Sequence, residues 1–194
     1  MDLFSAVAPE LVEPIRKMPT MNFDSNFKRI LGQLLGFRKA PLVSGVTVRN
    51  QLVGATKVRV FDPETRGTGA LIWIHGGGLI LGRPEQDDLI CSELAKDLKV
   101  KVFALGYRVA PKHPYPTPLN DCQSGYDWVV ANASELGIDP ANIVIAGASA
   151  GGCLATSLVL RLRDAGALPK ATALLYPMLD DRTGANQILD GTSL

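Results

Sequence analysis

From residue 70 onward the chain repeats one pattern, a short run of unbroken apolar residues followed by a stretch with helical spacing. The runs are Ala70 to Ile74, Val100 to Leu105, Ile143 to Ala146 and Ala171 to Tyr176. The helical stretches cover Glu85 to Leu98, about Leu119 to Leu136, and Ala150 to about Ala165. A strand that is apolar on both faces must be covered on both, and an intervening helix provides the crossover that parallel strands need. The pattern predicts an α/β fold, a mostly parallel sheet flanked by helices. Ahead of it, Val46, Val48, Val58 and Val60 alternate with polar residues around Asn50 to Gly54, which predicts an antiparallel pair. Leu3 to Val12 and Phe27 to Phe37 are apolar-periodic stretches broken by Pro9, Pro14 and Pro19, and they read as two or three short helices.

With 194 residues, 46% of them apolar, the chain is long enough to bury one sizeable core. Its 20 basic and 19 acidic residues nearly cancel and are scattered, so no overall field draws it to nucleic acid or to acidic membranes. Cys91, Cys122 and Cys153 are odd in number, widely spaced and mostly in apolar surroundings, which suits free thiols in a reducing compartment. The start, Met1-Asp2-Leu3-Phe4, lacks the basic and long apolar stretches of a signal peptide. No run approaches the ~18 apolar residues that a membrane span requires. The expectation is a cytoplasmic protein.

Two motifs carry chemistry. Ile143 to Gly152 places Ser149 at the centre of a G-x-S-x-G sequence, between a β-like run and a helix-forming one. A serine on a strained strand-to-helix turn projects its hydroxyl into a cleft, and Gly147, Ala148, Ala150 and Gly151 are small enough to let backbones cross there. His75-Gly76-Gly77-Gly78 follows a buried strand directly, and three glycines in a row leave backbone N–H groups unobstructed, as stabilisation of a tetrahedral oxyanion requires. Glycine clusters more often mark plain turns. Yet a G-x-S-x-G arises by chance in fewer than ~1 in 10 chains of this length, and an H-G-G-G far more rarely. Other sites lack support. Gly147 to Gly152 has the glycine spacing of a P-loop, but Cys153 and Leu154 stand where lysine and serine or threonine belong. No G-x-G-x-x-G follows a strand, and two distant histidines without a C-x-x-C pair make a zinc site improbable. Trp73 and Trp128 fall in apolar patterns and read as packing residues.

These motifs, together with Tyr107-Arg108-Val109-Ala110-Pro111, His113-Pro114-Tyr115-Pro116, Gly137-Ile138-Asp139-Pro140 and Tyr176-Pro177-Met178-Leu179-Asp180, resemble the hormone-sensitive-lipase group of α/β-hydrolase carboxylesterases. The resemblance covers roughly residues 45 to 182. It implies an α/β-hydrolase core over 45–194 that lacks its C-terminal strands and helices, and an N-terminal helical cap segment over 1–44. It further implies Ser149 as nucleophile, the N–H groups of Gly77, Gly78 and Ala150 as oxyanion hole, and His75 as a structural member of its loop. Gly76, Gly147 and Gly151 support the two motifs. The implied substrates are short to medium acyl esters, with no metal and no organic cofactor.

The sequence departs from the group in two places. Ala148 stands where the group usually has aspartate or threonine. No histidine follows Ser149, although the triad's acid and histidine come after the serine in this fold. His113 lies in a proline-rich loop, and Asp164, Asp180, Asp181 and Asp190 read as solvated or turn-capping. Asp121 reads as a structural or capping carboxylate. The expectation is therefore an esterase lacking its catalytic acid and histidine, with little or no turnover by this chain alone. Two other readings stay open. One is a non-catalytic small-molecule-binding relative, similar to the plant gibberellin receptors. The other is a homo-oligomer or a pairing through the exposed edge of Ala171 to Tyr176.

Overall fold

The structure, a computed structural model, describes residues 7–17, 41–180 and 182. Its first sheet element is the hairpin foreseen from valine alternation: β1 (Val46–Val53) pairs antiparallel with β2 (Thr56–Pro63). Gly54, with φ 58°, opens the two-residue turn, where only a residue without Cβ takes a positive φ freely. The apolar runs form β3 (Ala70–Ile74), β4 (Lys101–Gly106), β5 (Ile143–Ala148) and β6 (Ala171–Leu175). Among the described residues these six strands make one sheet in the order β1-β2-β4-β3-β5-β6. β2 meets β4 antiparallel, and the remaining pairs are parallel.

Helices α2 (Asp88–Leu98), α3 (Thr117–Ala131) and α5 (Ala150–Asp164) cover the two faces. The central strand β3 is buried throughout. Its Ala70, Ile72 and Ile74 join Cys122, Tyr126 and Val129 of α3 and Leu154 and Leu158 of α5. Its Leu71 and Trp73 face the other way, toward Cys91 and Ala95 of α2. The lack of alternation in the sequence thus has its cause: both faces of each central strand touch apolar side chains.

The expected helices differ from the observed ones in informative ways. The Glu85 to Leu98 stretch begins as a 3-10 turn, Pro84–Asp87, before α2. α3 starts at Thr117, with Pro118 in its first turn, where a missing N–H forfeits no helical bond. It stops at Asn132, whose backbone N–H and side-chain amide both donate to Trp128 O, at 3.1 and 2.8 Å. The predicted continuation to Leu136 survives as a single turn, α4 (Ala133–Leu136), ended by Gly137. At the N-terminus, Pro9 starts α1 (Pro9–Arg16) instead of breaking a helix, and Pro14 lies inside it. α1 buries none of its residues. The Phe27 to Phe37 stretch lies outside the described residues. β6 carries the apolar sequence of a covered strand, yet as the last strand in the order it leaves Ala171 to Leu174 exposed.

Candidate active site

β5 ends at Ala148 and α5 begins at Ala150, so Ser149 is the single residue of the strand-to-helix turn. Its φ of 54° and ψ of −118° lie where a residue with a Cβ is strained. The surroundings hold it there. Its N–H donates to Leu175 O at 3.0 Å, and its carbonyl accepts from Cys153 N at 3.2 Å and Met178 N at 3.1 Å. The hydroxyl makes no capping bond to α5. Ser149 is half-buried at the C-terminal end of the parallel strands, beside the N-terminus of α5, whose dipole favours developing negative charge.

The loop after β3 comes to the same place. The position a Cβ would take on Gly76 is 3.1 Å from Ala148 O and 3.4 Å from Ser149 Cβ. Gly77 and Gly78 follow with φ of 129° and 61°, and Gly77 O accepts from Ile80 N and Leu81 N at 3.2 and 2.9 Å. None of the described turn, loop and cap backbone hydrogen bonds uses the N–H of Gly77, Gly78 or Ala150 as donor. Ala148 is buried among Phe61, Trp73 and Ala146 at the end of β5, so a small apolar residue suits its position.

His75 is fully buried. Its Nδ1 lies 2.8 Å from Gly76 O, and its ring is stacked on Tyr107 with centroids 4.2 Å apart and planes 13° from parallel. Burial lowers its pKa from 6.5 to about 4, against the opposing pull of the Gly76 carbonyl. The ring is therefore neutral at ordinary pH, with Nδ1 as the donor to Gly76 O.

The remaining titratable candidates lie elsewhere or are engaged. His113 is half-buried in the proline-rich loop, its N–H bonded to Val109 O. Of the two roles read for Asp121, the structural one is observed and the capping one is not. Asp121 sits buried inside the helix and accepts from Arg108 N at 2.9 Å, Nε at 2.9 Å and Nη2 at 2.7 Å. Asp164 is exposed and paired with Arg163, and Asp180 is exposed, its carboxyl held below the usual range by Arg182. Asp181 and Asp190 lie outside the described residues. Cys91 and Cys122 are buried free thiols, both pushed up by burial, and Cys153 is half-buried. Among the described residues no cluster of three metal-ligating side chains occurs, and no helix is long and apolar enough to cross a membrane.

Several polar pairings around the sheet were not legible beforehand. Trp73 packs as expected but also donates from Nε1 to Asp87 at 2.7 Å, while burial raises the Asp87 carboxyl. Arg59 grips Asp88 through Nε at 2.6 Å and Nη2 at 2.8 Å, and Lys57 pairs with Glu85. Tyr107 stood inside a recognisable motif, but nothing in that motif says which ring it stacks on.

Comparison with known proteins places these features in context. Residues 71–192 match a family described as the alpha/beta hydrolase fold. The chain is 36% identical over 144 residues to "Ethyl acetate hydrolase" of Pseudomonas putida, covering 69% of this chain and 45% of that protein. It is 28% identical over 180 residues to "Esterase LipI" of Mycobacterium tuberculosis, covering 88% and 56%. Among solved structures it superposes on "Bacterial Heroin Esterase" with a TM-score of 0.82 at 37% identity, over 92% of this chain and 60% of that one. A Pyrobaculum calidifontis esterase gives 0.73 at 29% identity, over 88% and 58%. The chain thus spans about half the length of the curated relatives it matches.

Proposed function

Taking as premise that the chain belongs to the alpha/beta hydrolase fold family, we propose that it is the nucleophile-bearing part of a carboxylesterase acting on short to medium acyl esters. One observation carries this reading: the strained Ser149 turn and the Gly76-Gly77-Gly78 loop lie against each other at the end of the parallel strands. Ser149 Oγ would attack the ester carbonyl carbon. The carbonyl oxygen, gaining negative charge, would accept hydrogen bonds from the N–H groups of Gly77, Gly78 and Ala150. Collapse of the tetrahedral intermediate would expel the alcohol and leave an acyl-serine, which water then hydrolyses.

The serine proton needs an acceptor. The sequence holds two histidines; His75 is fully buried, with Nδ1 on the Gly76 carbonyl and its ring stacked on Tyr107, and among the described residues no hydrogen bond joins His75 or His113 to Ser149. The base would therefore come from a group outside these 194 residues, with the acid that orients it. Without a base, turnover drops on the order of a millionfold, while the donors of the loop retain a residual catalysis.

Reaction with a fluorophosphonate probe, followed by peptide mapping, tests the reading. Slow labelling confined to Ser149 and lost in Ser149→Ala supports it; labelling at another residue overturns it. The alternative reading is a binding protein that holds an ester or carboxylate without cleaving it. Saturable binding of a short-chain ester with no Ser149 labelling would favour that alternative.

A further inference from the structure

We propose that Tyr107 is a positioning residue for the glycine loop, and that with Ala110 it forms a clamp setting the backbone from which Gly77 and Gly78 present their N–H groups. Two hydrogen bonds join the segment after β4 to the loop after β3, one at each end of the loop. Tyr107 Oη donates to His75 O at 3.0 Å, and Ala110 N donates to Leu79 O at 2.9 Å. Only the three glycines lie between those two carbonyls, and they have no side chains with which to fix their own peptide planes. His75 Nδ1 on Gly76 O, and Ile80 N and Leu81 N on Gly77 O, hold the turn internally, while the two end bonds fix where that turn sits against the rest of the fold.

The clamp is itself anchored. Arg108, between its two arms, is tied through its N–H and its guanidinium to Asp121, a buried carboxylate of α3. The ring of Tyr107 is 4% exposed and stacked on His75, so the hydroxyl is aimed by burial and by that stack. Burial also pushes the phenol above its usual range, keeping it a donor at any working pH. The catalytic consequence rests on the esterase reading, since an oxyanion hole acts through donors already in place and sub-ångström displacement weakens it. The structural claim does not.

Tyr107→Phe keeps the stacked ring and removes the donor, leaving a buried carbonyl unpaired. In the full 194-residue chain, site-resolved amide hydrogen exchange should show Leu81 and Ala110 exchanging about tenfold faster, with Ile72 and Ile145 unchanged. Acceleration spread evenly over all four amides, or none at Leu81 and Ala110, overturns the clamp. Where the chain turns over p-nitrophenyl acetate, kcat should fall about tenfold with KM within about twofold; a loss carried by KM overturns the positioning role. If the wild-type chain neither turns over nor labels at Ser149, the esterase reading fails and the exchange result still decides the clamp. Should Tyr107→Phe not fold, Arg108→Met loosens the same clamp one bond further back, and unchanged exchange at Ala110 and Leu81 in that variant overturns the proposal.

Discussion

Gly151, in the first turn of α5, is packed directly against the carbonyl oxygen of His75 at the entrance of the glycine loop. A methyl group on Gly151 would fall inside the contact distance of both the Ile74 and the His75 carbonyls. The helix after the serine and the strand before the loop approach this closely because neither puts a side chain between them, and that approach brings Gly76 beside Ser149.

Gly151→Ala should therefore destabilise the fold by about 3 kcal/mol, since backbone rather than a flexible side chain has to move. Gly67→Ala is the control: its nearest neighbour is Lys99 O, 3.9 Å from the added carbon, and a change within about 0.5 kcal/mol is expected. Urea denaturation of the two variants measures the difference. Equal effects would mean that the contact at Gly151 yields without strain.

Ser149 offers a separate test of stored strain. At φ 54° and ψ −118° a serine or alanine is held in a conformation that glycine adopts freely. Ser149→Gly should be more stable than Ser149→Ala by about 1 kcal/mol, although both remove the hydroxyl. Thermal unfolding at one pH decides it, and a more stable alanine variant would show that the turn is relaxed.

His75 predicts a pH dependence of stability. In the unfolded chain its imidazole gains a proton below about 6.5, whereas in the folded chain burial delays this to about 4. Between these values the unfolded state binds more protons, so stability falls as pH is lowered from about 6.5 to 4 and loses nothing further below that. The group accounts for a loss of about 3 kcal/mol over the window. Subtracting the profile of His75→Asn from that of the wild type isolates it. A flat difference profile would mean that the buried ring takes a proton without hindrance.

Asp88 and Arg59 join α2 to β2 through a two-pronged pair in which the carboxylate is almost wholly buried. Asp88→Ala should cost about 3 kcal/mol or more, because the guanidinium left behind is 14% exposed and loses its main partner. Replacing both, as Arg59→Met with Asp88→Leu, should cost less than the single change. A double-mutant cycle by chemical denaturation measures the coupling, and additive effects would assign the loss to packing instead of charge.

Much of this molecule is written in local order. The runs Ala70 to Ile74 and Ile143 to Ala146 announced covered strands because both faces of those strands are lined by apolar side chains. The valine alternation announced the hairpin, and the small residues around Ser149 and after His75 announced a strand-to-helix turn and a glycine loop. Each of these depends on residues a few positions apart, whose steric and hydrophobic preferences act before the chain folds. Tertiary structure decided the rest. Asp121, read as a structural or capping carboxylate, is the structural one and anchors Arg108, a partner nothing in its local sequence names; Tyr107 met His75 across 32 positions, and Arg59 met Asp88 across 29. Periodicity determines which face of an element is apolar, but not which polar partner awaits a buried group. That choice is made only when sheet register and helix packing bring distant elements into contact and exclude the water that would otherwise serve.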